Sequence, residues 1–233
     1  MDRTLELLDL LSEKEEGYMI TEIAEILDIP ISSVHRLLTS LRKNGYILQD
    51  HQTKKYKLGL KILQLAINLL NHTDIRRVAR PYMEKLSQKY DEVVFLTVID
   101  EDTRRAICID TVIPSTTYKF YVKLGSEMPV NAAVAAQAIL AYMDEKLVDE
   151  IIQQKEHKQY TPHSLIDPKE IKEKIQKIWK TGYGICDEEL EIGVKAIAAP
   201  VMNQYGQAVA SIATVGMKVW EKNGEEKIKD IQE

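Results

Sequence analysis

Val34, Leu37, Leu38 and Leu41 recur at i, i+3, i+4 and i+7, which makes one apolar stripe on a helix over residues 32–43. The opposite face carries Ser32, Ser33, His35, Arg36, Thr39, Arg42 and Lys43, with hydroxyls, three fixed positive charges and no acid. Ser32, after Pro30, is expected to cap the first turn, and the N–H groups there suit a phosphate. Asn44-Gly45 supplies a left-handed C-cap. Upstream, residues 21–29 predict a second amphipathic helix, with Thr21 as its N-cap and Asp28-Ile29-Pro30 as the turn that follows. Leu5, Leu8 and Leu11, with Leu7 beside them, mark a first helix over residues 1–12 that closes a three-helix core, after which 13–17 is a charged loop. A short helix, a tight turn and a basic helix together make a helix-turn-helix. Residues 46–49 and 55–58 alternate as short strands around the polar turn 50–54, a β-hairpin wing with lysines near its tip.

Beyond Gly59 the pattern changes. Residues 60–70 are strongly apolar, with Leu60, Leu63, Ile67 and Leu70 near one face and Ile62, Leu65 and Leu69 widening it. A linker helix cannot bury so wide a stripe alone, so a helix–helix dimer contact is expected. Residues 75–90 read as a helix that Pro81 either kinks or restarts. Strands are predicted at 93–99, 106–112 and 118–122. Helices follow at 132–143 and 145–154, then at 168–181 with Asp167 as N-cap and Pro168 at the first position. A short strand at 183–186 precedes two longer ones, 194–202 and 208–217, joined by the turn 203–206. Residues 221–233 look like the start of a C-terminal helix, cut short. Strands in antiparallel pairs with helices between the groups indicate an α+β half, one sheet covered by helices.

The 233 residues suit two domains of ordinary size, and 45% hydrophobic with 29% charged residues fits a globular protein. The net charge of −5 argues against nucleic acid on average. Its distribution reverses that: residues 32–61 carry seven Lys or Arg against one acid, and residues 1–31 carry two against nine. A duplex meets only the face it touches, and that face is basic. On this chemistry Ser32, Ser33, His35, Arg36 and Thr39 read bases. Thr21 holds a phosphate, Lys54 and Lys55 touch the backbone or the minor groove, and Arg42 and Lys43 complete the DNA-binding set. Cys108 and Cys186 are far apart with no metal-ligand spacing, which points to a reducing, cytoplasmic setting. No apolar run reaches membrane-spanning length, and no signal-peptide pattern opens the chain.

Three motifs carry a family resemblance: Ser32-Ser33-Val34-His35-Arg36-Leu37-Leu38, Tyr56-Lys57-Leu58-Gly59, and Gly182-Tyr183-Gly184-Ile185-Cys186-Asp187-Glu188-Glu189 running on through Gly193 to Val201. With the element order, they make the chain resemble the IclR family of transcriptional regulators over essentially its whole length. The resemblance implies a winged helix-turn-helix over 1–59, a linker helix over 60–73 and a GAF-like effector domain over 74–233. It also implies a homodimer or a dimer of dimers, an inverted-repeat DNA operator and a small organic effector, with repression as the first reading. No metal or other cofactor is expected. Matched by motif, the effector pocket is lined by Phe120, Met128, Val134, Ala135, Cys186, Val194, Ala196, Ala213 and Val215. It is closed by the helix after the third strand and by the loop before Val194. Family members that take small carboxylates show Asp at the position of Cys186, Cys at Ala196, and Ser at Ala213 and Val215. Here all four are less polar, and Ala and Val donate nothing from their side chains to a buried oxyanion. The expected effector is therefore larger or more apolar than glyoxylate or pyruvate, an aromatic compound for example.

Other motifs are weaker. Asp187-Glu188-Glu189 with Glu191 has metal-like spacing but no nearby His, and reads as a charged loop. Cys186 with His157 or His163 lacks a third group to orient a base, so catalysis is not expected. The rival readings are a small-molecule enzyme and a ligand sensor acting through protein partners. Neither would show salt-dependent DNA affinity in a gel shift.

Overall fold

The computed structural model describes residues 2–71, 74–100, 102–114, 122–153, 157–217 and 224–233. It separates into two compact units, Met1–Thr73 and Asp74–Glu233.

The first unit contains α1 (Arg3–Glu13), α2 (Ile20–Ile26), α3 (Ile31–Lys43), β1 (Ile47–Gln49), β2 (Tyr56–Leu58) and α4 (Leu60–Asn71). Leu7, Leu10, Ile23, Leu27, Val34, Leu38, Leu41, Ile47 and Tyr56 form its core, so the stripe on α3 is buried against α1, α2 and the wing. Two helix starts differ from the sequence expectation. Met19, not Thr21, is the N-cap of α2, and the Met19 N–H donates to Glu22 Oε2 at 2.6 Å. Glu22 can reach back only to the residue three before it, which sets the start at 19 and leaves Thr21 in the first turn. Pro30, not Ser32, precedes α3, and its carbonyl accepts from Ser33 N–H (2.8 Å) and Val34 N–H (3.1 Å). The fixed φ of Pro30 makes the extended entry, and Ser32 becomes a first-turn residue. At the other end Gly45 takes φ +78°, with Gly45 N–H on Arg42 O and Tyr46 N–H on Leu41 O, both at 3.0 Å. This is a Schellman ending.

Tyr18 adds a third stretch of chain to the wing, as a single bridge that the periodicity did not show: its backbone exchanges hydrogen bonds with Tyr56 at 3.1 and 2.8 Å. Gly59 explains the end of the Tyr-Lys-Leu-Gly motif. A Cβ there would lie 2.3 Å from the Gly45 carbonyl oxygen and 3.0 Å from Ile47 N. Gly59→Ala should therefore force the α3–wing junction apart, at a cost of ~1–3 kcal/mol. Faster amide exchange in α3 and β1, with the second unit unchanged, is the expected readout.

The second unit contains α5 (Asp74–Tyr90), β3 (Val93–Ile99), β4 (Ala106–Val112), α6 (Val134–Leu140), α7 (Glu145–Gln153), α8 (Pro168–Thr181), β5 (Gly184–Asp187), β6 (Val194–Met202), β7 (Ala208–Met217) and α9 (Gly224–Gln232). Its antiparallel sheet has the order β4-β3-β7-β6-β5. One face packs on α5 and α9 through Met83, Leu86, Val94, Leu96, Ile197 and Ile231. The other packs on α6 and α8 through Phe95, Cys108, Val134, Ala198, Ala213 and Ile178.

β6 and β7 occupy the expected residues, and α8 has the expected cap, with Asp167 accepting from Lys169 N–H at 2.9 Å. Helix α5 is continuous through Pro81. Helix α6 is shorter than the alanine-rich run 132–143. Ala132 and Ala133 N–H groups turn back onto Pro129 O, and Tyr142 and Met143 close tighter turns on Ile139 O and Leu140 O. Most of the third predicted strand, 118–121, lies outside the described residues, as does Phe120. A register shift between Leu96 and Thr97 changes the phase of β4. Ala106 and Cys108 face α6, whereas Val112 joins the cluster under α5.

Candidate nucleic-acid interface and ligand cavity

With Val34, Leu38 and Leu41 turned inward, helical phase leaves Ser32, His35, Arg36, Thr39, Arg42 and Lys43 exposed on α3, and Ser33 half-buried. Thr39 Oγ1 donates to His35 O at 2.7 Å, so its hydroxyl oxygen faces out as an acceptor. Arg42 Nη1 donates to Gln49 Oε1 at 3.1 Å, and Gln49 Nε2 donates to Lys54 O at 3.1 Å. These two bonds fix the end of α3 to the wing turn. Asp50 shapes that turn: Oδ1 accepts from Thr53 N–H (2.7 Å) and Gln52 N–H (2.9 Å). These N–H groups, Thr53 first, hold the Asp50 carboxyl below the usual carboxylate range. Lys54 sits at φ +61°, beside half-buried Lys55. Thr21 is exposed on the first turn of α2. The first unit thus presents a hydroxylated, cationic surface with no acid on the outward face of α3.

In the second unit a cavity of about 340 Å³ lies between the sheet and the start of α6. Met128, Val134, Ala135, Cys186, Val194, Ala196 and Val215 line it. Ala213 does not. It is wholly buried opposite Phe95 in the β3–β7 register, and the larger Phe95 ring takes the wall position. Phe95 and Tyr160 are lining residues that sequence reasoning missed. The alternation Val93-Phe95-Thr97 carried a signal for Phe95. Nothing local marked Tyr160, which comes from a loop.

Leu190 and Glu191 close the cavity from the loop before Val194. That loop is anchored by Thr161 Oγ1 on Glu188 O (2.7 Å), Ser164 Oγ on Glu189 O (2.6 Å), and Lys174 Nζ on both Glu189 oxygens (2.5 Å). Burial raises the Glu189 carboxyl despite the Lys174 cation. The acidic loop is therefore fastened by a lysine, and no group of three or more His, Cys, Asp or Glu among the described residues is placed to hold a metal ion. The Cys186 thiol donates to Ala132 O at 3.3 Å and is pushed up by burial, the opposite of an activated nucleophile. His157 Nε2 sits 2.8 Å from Ile152 O, and His163 lies 3.5 Å from Glu188. Both cysteines are free and buried. No helix among the described residues is long and apolar enough to cross a membrane.

Comparison with known proteins agrees with this two-part architecture. Residues 1–51 match the IclR helix-turn-helix domain, and residues 67–232 match the bacterial transcriptional regulator IclR C-terminal family. The chain is 27% identical over 216 residues to the transcriptional repressor IclR of Escherichia coli, covering 93% of this chain and 79% of that protein. Among solved structures, an IclR transcriptional regulator from Alicyclobacillus acidocaldarius superposes with a TM-score of 0.83 at 26% identity, covering 98% of this chain and 91% of that one. An IclR homologue from Microbacterium hydrocarbonoxydans, solved in complex with 4-hydroxybenzoate, shares the fold with a TM-score of 0.80 at 19% identity, over 99% and 93% of the two chains. The chain belongs to the IclR family of transcriptional regulators, ligand-responsive proteins that bind DNA through an N-terminal helix-turn-helix.

Proposed function

We propose that α3 enters the major groove with Ser32, Ser33, His35, Arg36 and Thr39 against base edges, while Arg42, Lys43, Lys54 and Lys55 neutralise phosphates and Thr21 bonds one at the start of α2. The observation that carries this reading is the acid-free outward face of α3, tied through Arg42 and Gln49 to a cationic wing. Two copies read an inverted repeat. Helix α4 supports the pairing: none of its residues is buried, and Leu60, Leu63, Leu65 and Ile67 are 75, 54, 45 and 45% exposed. The protein acts in the cytoplasm as a repressor released, or set, by its effector. Four cations per copy predict that the logarithm of DNA affinity falls with the logarithm of salt at a slope of roughly −7 for the dimer. Fluorescence anisotropy against a duplex selected from a randomised pool measures it. A slope near zero would remove the DNA-binding reading.

The effector occupies the 340 Å³ cavity of the C-terminal unit. Its described wall is mostly Phe, Met, Val and Ala, with Ser126 and Lys123 among the few groups able to meet a polar head. Buried apolar area then favours a ring-sized organic acid over a two- or three-carbon oxoacid, at ~25 cal/mol per Å². Calorimetry is expected to show benzoate-sized acids binding at least about tenfold tighter than pyruvate or glyoxylate, and the reverse order would refute this effector class.

A further inference from the structure

A second cavity, of about 290 Å³, lies between the β3–β4 turn and the segment around residue 158. Three cations line it, Arg104, Arg105 and Lys158, against one acid, Glu127. Arg105 reaches Glu127 only at 3.7 Å, with both side chains about half exposed. Arg104 is half-buried and has no carboxylate partner among the described residues.

The backbone under Arg104 is unusual. It sits at φ +58°, where L side chains are strained and Gly or Asn is the ordinary choice. The turn is otherwise well made: Asp100 Oδ1 accepts from Thr103 N–H (2.6 Å) and Thr103 Oγ1 (2.7 Å), and Arg104 N–H donates to Asp100 O at 2.9 Å. The wing has the same construction. Its Asp50 accepts from Thr53 N–H, its Lys54 N–H donates to Asp50 O at 3.0 Å, and Lys54 and Lys55 follow as Arg104 and Arg105 do here. Each hairpin places a cation where the backbone would favour Gly. The facing wall is fixed as well. Buried Asn131 donates through Nδ2 to the carbonyls of Lys158 and Leu165, both at 2.9 Å.

We propose that this cavity binds a small dianion, a phosphate monoester or a dicarboxylate, held by the Arg104 guanidinium with Arg105 and Lys158. A fork-shaped guanidinium and an ammonium on opposite walls match two oxygens of such a group. Tyr160, Met128 and Pro129 line both cavities, so the anion lies against the wall of the effector site as a co-effector.

The test uses the full chain, with inorganic phosphate and succinate as separate probes in calorimetry. Arg104→Gly removes the cation while relieving the positive φ, so the variant is expected to fold with equal or higher Tm. Lys177→Ala, which removes an exposed cation on α8 that lines neither cavity, serves as control for a general loss of positive charge. Binding of either probe by wild type, weakened about tenfold or more in Arg104→Gly and unchanged in Lys177→Ala, is the expected result. Phosphate alone would mark a phosphorylated ligand, and succinate alone a dicarboxylate. No binding of either probe, or binding that survives Arg104→Gly, overturns the proposal.

Discussion

Arg36→Ala is expected to cost ~1–3 kcal/mol per DNA-binding unit, and about twice that on an inverted repeat where two copies make the same contact. The corresponding loss of affinity on the repeat is roughly thirty-fold to twenty-thousand-fold, at about 1.4 kcal/mol per factor of ten. The size follows from position. Arg36 is exposed in the middle of α3, turned away from the stripe that buries Val34 and Leu38, and its removal leaves that core untouched. A guanidinium is suited to two acceptors on a guanine edge, so its loss should also flatten discrimination between the selected duplex and a scrambled one. Lys54→Ala makes the contrasting case. Without the wing-tip ammonium on a phosphate, both duplexes should bind more weakly by the same factor, and the salt slope should fall by about one per copy. If Arg36→Ala lowered selected and scrambled affinities equally, Arg36 would be a phosphate contact and α3 would lie differently in the groove.

The second large effect belongs to Asp110. Its carboxylate is buried on the α5 face of the sheet and meets Arg80 at 2.9 Å, Arg76 at 3.4 Å and its neighbour Thr111 N–H at 2.9 Å. Arg80 Nη1 also donates to Thr111 O at 3.1 Å, which pins α5 to the edge strand. Asp110→Ala removes the acceptor and leaves two guanidinium groups facing a desolvated gap, a change that typically costs ~3–5 kcal/mol. Arg80 is 43% exposed and keeps Glu84 as a partner, so the lower half of that range is expected. Both tryptophans, Trp179 and Trp220, belong to the second unit, so a urea titration followed by tryptophan fluorescence reports this unit. A midpoint shift below that of an exposed control such as Asp102→Ala would show that the arginines relax into water without loss.

Asp110 also shows where local pattern stops. Strict alternation along 106–112 would put Asp110 on the same face as Cys108, in the cavity-facing core. The extra residue at the Leu96/Thr97 shift carries it to the α5 side, where the arginines are. Partner strands create that bulge, and no window of seven residues contains it. The N-terminal unit behaves differently because its contacts are short in sequence. The stripe Val34-Leu37-Leu38-Leu41, the Asn44-Gly45 ending and the wing turn all follow from residues a few positions apart. The helix starts at Met19 and Pro30 differ because Glu22 reaches back to the Met19 N–H and the Pro30 carbonyl takes the Ser33 and Val34 N–H groups, which leaves Thr21 and Ser32 inside the first turns.

By itself the sequence determined most of the helices and strands among the described residues, the Asp167 cap and the Asn44-Gly45 ending, the segregation of positive charge onto α3 and the wing, and through its motifs the family. Those properties depend on periods of two and 3.6 residues and on charges that lie together along the chain. Tertiary structure alone decided which side chains meet. It gave Phe95 rather than Ala213 to the cavity wall, brought Tyr160 from a loop to separate two cavities, and fastened the acidic loop to Lys174. Those pairings depend on strand register and on loops closing over tens of residues, where the free energy comes from fitted volume and matched charge that no local repeat encodes.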